Sequence, residues 1–319
     1  MHKVKYFVGE YSALAAFIIL FFLAFALKGF TFLSRSNITN ILLNNSIIGI
    51  IALGMTMIII TGGIDLSVGS QLMVAGLAAL MVINATGSIL LGLVVAIVVG
   101  AATGLMAGAL VAKCRIPAFI VTLGAMYIYR SVGEDLQNGG GIMVKGASSQ
   151  AFIAISNTRL FGWLPLPIIY WLALSMIVYL FMSRTCTGRH IYAVGSNEKA
   201  SLLSSINVNR VHFTVYILSG VLVALAAIVE GSRLGSIDSV SSGTSYEMDA
   251  IAAVVIGGTG LSGGRGKIFG TIMGTLTLGV INNMMNLLGV PPFLVDAVKG
   301  IVIIAAVLLQ RQLDKSDAA

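Results

Sequence analysis

The feature that most constrains this chain is a series of long apolar runs separated by short polar segments. Ten runs approach the roughly 20 apolar residues that a helix needs to cross a bilayer: about 11–28, 41–61, 66–84, 88–112, 117–132, 163–183, 211–231, 247–259, 268–288 and 294–310. Only 10% of the residues are charged and 57% are hydrophobic, whereas soluble domains carry about 25% charged residues. We therefore predict an all-α polytopic membrane protein of about ten helices, forming a single transmembrane domain over residues 1–319.

Three of these runs are short for a complete crossing, namely the third, the fifth and above all the eighth. Short, glycine-interrupted segments are typical of broken or re-entrant helices in transporters. The pattern therefore predicts broken or re-entrant segments, and it leaves open an alternative with eight spans and two re-entrant segments.

The basic residues indicate how the chain is oriented, because cytoplasmic segments are enriched in Lys and Arg. With ten spans and both termini inside, twelve basic residues fall on the cytoplasmic side and five outside. The inside set is Lys3, Lys5, Lys113, Arg115, Arg184, Arg189, Lys199, Arg210, Arg265, Lys267, Arg311 and Lys315. The outside set is Lys28, Arg35, Lys145, Arg159 and Arg233. The bias predicts a periplasmic loop at about 133–162 and a cytoplasmic loop at about 184–210.

Several other classes of protein are disfavoured by the same features. The net charge of +7 is spread over the ends of apolar runs rather than gathered on one face, so we expect no nucleic-acid partner. The three histidines lack metal-ligand spacing, so we expect no metal site. The first run resembles a signal peptide with an Ala24-Phe25-Ala26 cleavage site, but its length favours an uncleaved first span.

A glycine motif occurs twice, each time between two apolar runs. Residues 62–69 read GGIDLSVG and residues 257–264 read GGTGLSGG, with five of eight positions identical. Paired glycines let a backbone leave helical geometry, and the following serine can cap the next helix. We predict two helix breaks, in either a membrane pathway or tight surface turns, formed by Gly62, Gly63, Ser67 and Gly69 and by Gly257, Gly258, Ser262 and Gly264.

The two copies differ at one chemically informative position, where Asp65 corresponds to Gly260. A carboxylate in an apolar setting is costly unless it is paired, which makes it a functional candidate. Helix capping or pairing with a basic group is the alternative interpretation of Asp65.

The stretch GGTGLSGGRGK at 257–267 resembles two ATP-binding motifs. Its LSGGR is close to the LSGGQ signature of ABC-type ATPases, and its GRGK resembles the end of a phosphate-binding loop. The phosphate-loop pattern G-x-x-x-x-G-K-[ST] fails twice, because Leu261 stands at its first position and Ile268 at its last. The flanking sequence is apolar rather than that of a soluble α/β domain. We therefore expect no ATP binding and no catalytic residues in this chain.

Three long segments closely resemble the permease subunits of ribose-type monosaccharide ABC importers. They are GMTMIIITGGIDLSVGS at 54–70, GRHIYAVGSNEKASLLSSINV at 188–208 and YEMDAIAAVVIGGTGLSGGRGKIFGT at 246–271. The resemblance covers about residues 30 to 310. It implies a fold similar to vitamin B12-type importers and a homodimer in the bacterial inner membrane. It also implies a cytoplasmic ATPase subunit that uses ATP and Mg²⁺, and a periplasmic sugar-binding protein.

The resemblance further implies that the loop at about 184–210 couples the chain to the ATPase. Apolar residues at 202, 203 and 206 also suit a short amphipathic helix, which could dock on a partner or lie in the membrane interface. Ser196, Ser201 and Ser205 replace small residues common in the family, which leaves the contacts to the ATPase open. The candidate coupling residues are Gly188, Tyr192, Gly195, Asn197, Glu198, Ala200, Leu202, Leu203 and Ile206.

A neutral monosaccharide needs hydrogen-bonding and aromatic side chains along its pathway. The candidates are Asn44, Asn45, Thr56, Asp65, Phe119, Tyr127, Asn282, Asn283 and Asn286. The alternative for any single asparagine is a hydrogen bond between helices, worth about 0.6 kcal/mol. An ion-coupled secondary sugar transporter is the alternative function, although such proteins usually bury more acidic or histidine groups than these spans hold.

Overall fold

The computed structural model describes residues 2–317 and is helical over most of that range. The first nine helices are α1 His2–Lys28, α2 Phe30–Leu33, α3 Arg35–Ile60, α4 Val68–Thr86, α5 Ile89–Ala112, α6 Ala118–Gln137, α7 Ser148–Asn157, α8 Leu166–Arg184 and α9 Cys186–Ser196. The other helices are α10 Glu198–Leu203, α11 Val208–Leu234, α12 Tyr246–Ile256, α13 Ile268–Leu287 and α14 Pro292–Asp317. Each of the ten predicted segments therefore coincides with a helix.

Six helices of the described part of the chain are long and apolar enough to cross a membrane: α3, α4, α5, α8, α11 and α13. A shorter apolar helical stretch, Ala13–Lys28, lies in α1. With 11 residues, α12 is about 16 Å long, roughly half of a membrane crossing. The architecture is that of a polytopic membrane protein.

The loop predicted at 133–162 is more ordered than its polar composition suggested. Helix α6 continues to Gln137, and α7 occupies the middle of the loop. The Ser156 hydroxyl of α7 donates to the Val229 carbonyl of α11 at 2.9 Å. Two short antiparallel ribbons complete this end of the molecule: β1 Gly141–Met143 with β4 Ser236–Asp238, and β2 Arg159–Leu160 with β3 Leu164–Pro165.

Helices α5 and α11 pack closely because small residues line their contact. A Cβ atom added to Gly104 would overlap the Tyr216 carbonyl oxygen, and one added to Gly220 would overlap the Gly100 carbonyl oxygen. Lipid offers no hydrophobic force between helices, so such close backbone approach provides the packing energy. Helix α3 lies deepest in the bundle, with every residue from 45 to 61 buried.

Both glycine motifs end a helix in the same way. Their structural alignment differs by one residue from the alignment of their sequences. The Gly63 amide donates to Ile58 and the Thr259 amide donates to Val254, both at the end of the preceding helix. The left-handed residue is Gly62 (φ 82°) in the first copy and Gly258 (φ 85°) in the second. The pairing of Gly62 with Gly257 was therefore wrong, because the backbone aligns Gly62 with Gly258.

The prediction that the motif serines cap the next helices was also wrong. Ser67 stands at the N-cap of α4, but its side chain accepts no hydrogen bond from a backbone amide of the helix. Its hydroxyl donates to Asp65 at 2.6 Å and accepts from the Gln71 side chain at 2.6 Å. Helix α13 begins only after Lys267, so Ser262 is exposed in the turn.

Candidate functional site

A polar pocket of 390 Å³ lies between α3, α12, α13 and α14. Its most distinctive feature is five asparagines from two helices that are distant in sequence. They are Asn44 and Asn45 of α3 and Asn282, Asn283 and Asn286 of α13. Tyr246, Asp249, Asp296 and Lys299 complete the polar lining, and the apolar part includes Ile41, Ile48, Leu278 and Val295. We call this cavity the asparagine pocket.

Antiparallel packing of α3 and α13 brings these asparagines together. Asn37 and Asn283 exchange two side-chain hydrogen bonds, at 3.0 and 2.7 Å, at one end of the contact. Thr56 and Thr271 join the same helices further along, with their hydroxyl oxygens 2.6 Å apart. Between them, a Cβ on Gly279 would overlap the Asn45 amide. Because Gly279 has no side chain, the Asn45 amide fits against it beside the pocket.

The amide groups of the pocket are only partly used within the protein. Asn45 donates to the Ile41 carbonyl at 2.7 Å, whereas the Asn282 Oδ1 atom is buried without a hydrogen-bond partner among the described residues. An asparagine side chain both donates and accepts. The pocket can therefore bind a ligand whose groups also donate and accept, such as neighbouring hydroxyl groups.

An ion pair closes one side of the pocket. Lys299 Nζ of α14 lies 2.9 Å from Asp249 Oδ1 of α12 and 3.7 Å from Asp296 Oδ1. The Lys299 and Asp249 side chains are only 17% and 20% exposed, in contrast to 79% for Asp296. The pair between α12 and α14 is therefore the shielded one, and Asp296 adds a negative charge at the exposed edge of the pocket.

A second layer of charged groups fixes the segment that leads into α12. Glu230 of α11 is buried and hydrogen-bonded to the Tyr246 and Ser242 side chains. Arg130 of α6 donates to the Ser239 and Ser242 carbonyls at 2.9 and 3.0 Å. These bonds hold residues 239–242 against α6 and α11, and so they position Tyr246 at the pocket.

The sequence analysis did not identify Arg130, Glu230, Tyr246 or Lys299 as site residues. For Arg130, Glu230 and Lys299 the one signal was a charge near the end of an apolar run, which marks a functional candidate in a membrane protein. Tyr246 had no such signal.

The other predicted pathway residues lie outside the asparagine pocket. Thr56 is buried and bonds to Thr271 and to the Ala52 carbonyl. Phe119 and Tyr127 of α6 are 53% and 67% exposed on the outside of the bundle. A pathway role for these three residues stays a prediction, but they do not share the cavity that the asparagines form.

Asp65 is buried and hydrogen-bonded to two residues at the start of α4. Its Oδ1 accepts from the Ser67 amide at 2.8 Å and from the Ser67 hydroxyl at 2.6 Å. Its Oδ2 accepts from the Gln71 side chain at 3.2 Å. The carboxylate thus satisfies donors at the first break, and it lies apart from the residues that line the pocket. A role for Asp65 as helix cap or in the pathway stays a prediction.

The predicted coupling loop forms two helices, α9 and α10. Thr185 caps α9 by accepting from the Gly188 amide at 3.0 Å, and Asn197 caps α10 by accepting from the Ala200 amide at 3.0 Å. A Cβ on Gly188 would overlap the Met182 carbonyl oxygen, so α9 folds tightly back on α8. Glu198 and Ala200 are exposed on α10.

One side of the α9–α10 helix pair is exposed, and the other side packs against the bundle. Leu202 and Leu203 are 51% and 89% exposed, whereas Ile206 packs against the core. Tyr192 and Gly195 face the bundle, where the Tyr192 hydroxyl donates to the Gly266 carbonyl at 2.9 Å. Burial raises the pKa of Tyr192, which keeps this hydroxyl a donor. The two exposed leucines are thus available for contact with another surface.

Comparison with known proteins places this architecture among membrane permeases. A family model described as the branched-chain amino acid transport system / permease component matches residues 37–307. The ribose import permease protein RbsC of Escherichia coli is 40% identical over 97% of this chain and 95% of its own length.

Two further relatives extend the comparison. The Bacillus subtilis ribose import permease protein is 41% identical over 97% of this chain and 96% of its own length. The L-arabinose transport system permease protein AraH of Escherichia coli is 35% identical over 96% of this chain and 92% of its own length. No solved structure matches the chain.

Proposed function

Because this chain belongs to the branched-chain amino acid transport system / permease component family, we propose that it is the permease subunit of an ATP-driven sugar importer. Its cargo is a monosaccharide such as ribose, and it is not itself an enzyme. The relatives named for ribose and arabinose import support this substrate class. The permease provides the passage, and hydrolysis of ATP with Mg²⁺ takes place in a partner chain.

The observation that carries the proposal is the asparagine pocket. Its lining includes five neutral amides and the Lys299–Asp249 ion pair, and the charge of Asp296 lies at its exposed edge. A monosaccharide presents several hydroxyl groups that donate and accept and carries no charge, which matches this lining. The pocket is the segment of the translocation pathway that this subunit contributes.

The assembly follows from the same role. Two copies of the permease form the channel, each with ten membrane segments in a fold similar to vitamin B12-type importers. The chain lies in the bacterial inner membrane with both termini in the cytoplasm, as the basic residues of the loops favour. The exposed leucines of α10 then face the cytoplasmic ATPase, and a periplasmic sugar-binding protein docks at the opposite end.

Reconstitution into liposomes tests this proposal. Uptake of radiolabelled ribose and arabinose is measured with the permease, its ATPase subunit and its sugar-binding protein. The expected result is uptake of at least one sugar that requires all three proteins and ATP. Uptake by the permease alone under a proton or sodium gradient would contradict the proposal and favour an ion-coupled transporter.

A further inference from the structure

The two glycine motifs and helix α9 meet at a single place in the bundle. Three backbone segments take part: residues 60–62 at the end of α3, residues 263–266 in the turn between α12 and α13, and residues 192–196 of α9. We call this contact the glycine junction. It lies at the α9 end of the bundle, away from the asparagine pocket.

Backbone groups meet there without side chains between them. The Gly264 amide donates to the Ile60 carbonyl at 2.8 Å. A Cβ on Gly195 would overlap that same carbonyl oxygen, and a Cβ on Gly263 would lie 2.9 Å from the Gly195 carbonyl oxygen. A residue larger than glycine therefore does not fit at position 195 or 263 unless the backbone moves.

The helices that leave the glycine junction are the ones that line the asparagine pocket. Helix α3 runs from Ile60 back to Asn45, which is about 22 Å of helix, and α13 runs from Ile268 to Asn282, about 21 Å. Helix α12 ends at Ile256, just before the turn that contains residues 263–266, and carries Asp249 of the ion pair near its start. Three pocket walls thus share one anchoring point.

We propose that the glycine junction is the contact through which movement of α9 and α10 reaches the asparagine pocket. Close-packed protein interiors have low compressibility and transmit displacement. A contact between backbones leaves no flexible side chain to absorb a shift of α9. Tyr192 and Gly195 are therefore positioning residues for transport, acting on the pocket through α3 and the α12–α13 turn.

This inference rests on the proposed function. It assigns both glycine motifs to the contact that transmits movement from α9 and α10 to the pocket. In the first motif Gly62 ends α3, and in the second the turn from Gly258 to Gly266 joins α12 to α13. When a partner moves α10, the ends of these pocket helices move with it. Small displacements at such a contact can switch a packed bundle between two arrangements.

The test measures the number of ATP molecules hydrolysed per sugar imported by the complete reconstituted transporter. Tyr192→Phe removes only the hydroxyl that bonds to Gly266, and Gly195→Ala places a methyl group against Ile60. Matched controls exist for both. Tyr170→Phe removes a hydroxyl that bonds to the Ile155 carbonyl at 3.0 Å, and Gly124→Ala adds a methyl group where no atom lies within 4 Å.

We expect Tyr192→Phe to raise the ratio of ATP hydrolysed to sugar imported by about threefold to tenfold, the effect of one lost hydrogen bond. Gly195→Ala should raise it further, and both control variants should match the wild type. Equal loss of uptake and hydrolysis in Tyr192→Phe, or an unchanged ratio, would overturn the inference. If Gly195→Ala does not accumulate in the membrane, the ratio measured for Tyr192→Phe alone tests the inference.

Failure of this inference is distinguishable from failure of the proposed function. A wild-type complex that imports no sugar with ATP would contradict the function itself. Wild-type import together with an unchanged ratio in Tyr192→Phe would leave the function standing and would remove the glycine junction from the coupling route.

Discussion

Lys299 of α14 and Asp249 of α12 form an ion pair, 2.9 Å apart, across one side of the asparagine pocket. The pair neutralises both charges where the pocket wall is largely shielded from solvent. Because removal of either partner leaves a poorly solvated charge, each residue depends on the other. The pair therefore fixes the distance between two helices that enclose the pocket.

The dependence of Lys299 and Asp249 on each other can be measured with a double-mutant cycle. We expect Asp249→Asn and Lys299→Gln each to destabilise the protein, and the double variant to be more stable than the two single losses predict, with a coupling energy of about 0.5–3 kcal/mol. Thermal unfolding in detergent provides the measurement. Asp296→Asn is the control, because the exposed Asp296 should contribute only about 0–1 kcal/mol. Additive losses would show that the pair does not act as a unit.

Asp65 should contribute to stability through the hydrogen bonds it accepts at the first helix break. Asp65→Ala leaves the buried Ser67 amide without its acceptor and removes one of the two acceptors of the Gln71 side chain, so we expect a loss of about 1–3 kcal/mol. Asp65→Asn keeps an oxygen for Ser67 and should lose less. Thermal unfolding ranks the two variants. If Asp65→Asn abolished sugar uptake at unchanged stability, Asp65 would act in the pathway rather than as a cap.

The exposed leucine at the tip of α10 should control assembly with the ATPase. Leu203→Ala removes a side chain that is 89% exposed, so it should not affect folding. We expect Leu203 to belong to the minority of interface residues whose truncation costs more than 1 kcal/mol, so the dissociation constant should rise about tenfold. Titration of the detergent-solubilised permease with the ATPase measures it. Leu160→Ala, at a 40% exposed leucine of the β2–β3 ribbon, is the control, and equal affinities for both variants would contradict the docking assignment.

The turn after β4 should become less stable in acid. The Ser241 amide, at 2.6 Å, and the Ser241 hydroxyl donate to Asp238 and hold the pKa of this carboxyl below its ordinary value of 3.8. Since the ionised form is favoured in the folded state, its contribution is present above the ordinary pKa and is lost as the pH falls through the lower, folded one.

Hydrogen exchange of a peptide covering residues 238–245 tests this expectation for Asp238. At neutral pH the peptide should exchange faster in Asp238→Asn than in the wild type, and this difference should vanish well below pH 3.8. A difference that persists unchanged in acid would show that the carboxylate charge does not stabilise the turn.

The sequence predicted the helices well because bilayer thickness imposes one length on every apolar span. It also singled out the asparagines of α3 and α13, since amides inside apolar runs are rare and conspicuous. It could not say that Phe119 and Tyr127 face outward while Asn37 bonds to Asn283. That outcome depends on which helices pack together, and the positions of these residues along the chain carry no such information.

The two glycine motifs show a second limit of prediction from sequence. Identical letters aligned Gly62 with Gly257, whereas the backbone aligns Gly62 with Gly258. The register follows from where each preceding helix ends, and that point is set by hydrogen bonds to Ile58 and Val254. Contact of Gly195 with Ile60 and Gly264 depends on packing between segments more than 60 residues apart and has no local signature.

The most direct test of the asparagine pocket as the sugar pathway is thiol modification at Asn286. Cys114 and Cys186 are free and exposed, so both are first replaced by serine. In this background, a water-soluble methanethiosulfonate reagent should block ATP-driven uptake by Asn286→Cys, and added sugar should slow the block. Leu160→Cys, on the exposed β2–β3 ribbon and not part of the pocket lining, should keep its uptake. Undiminished uptake after complete modification at position 286 would contradict the account.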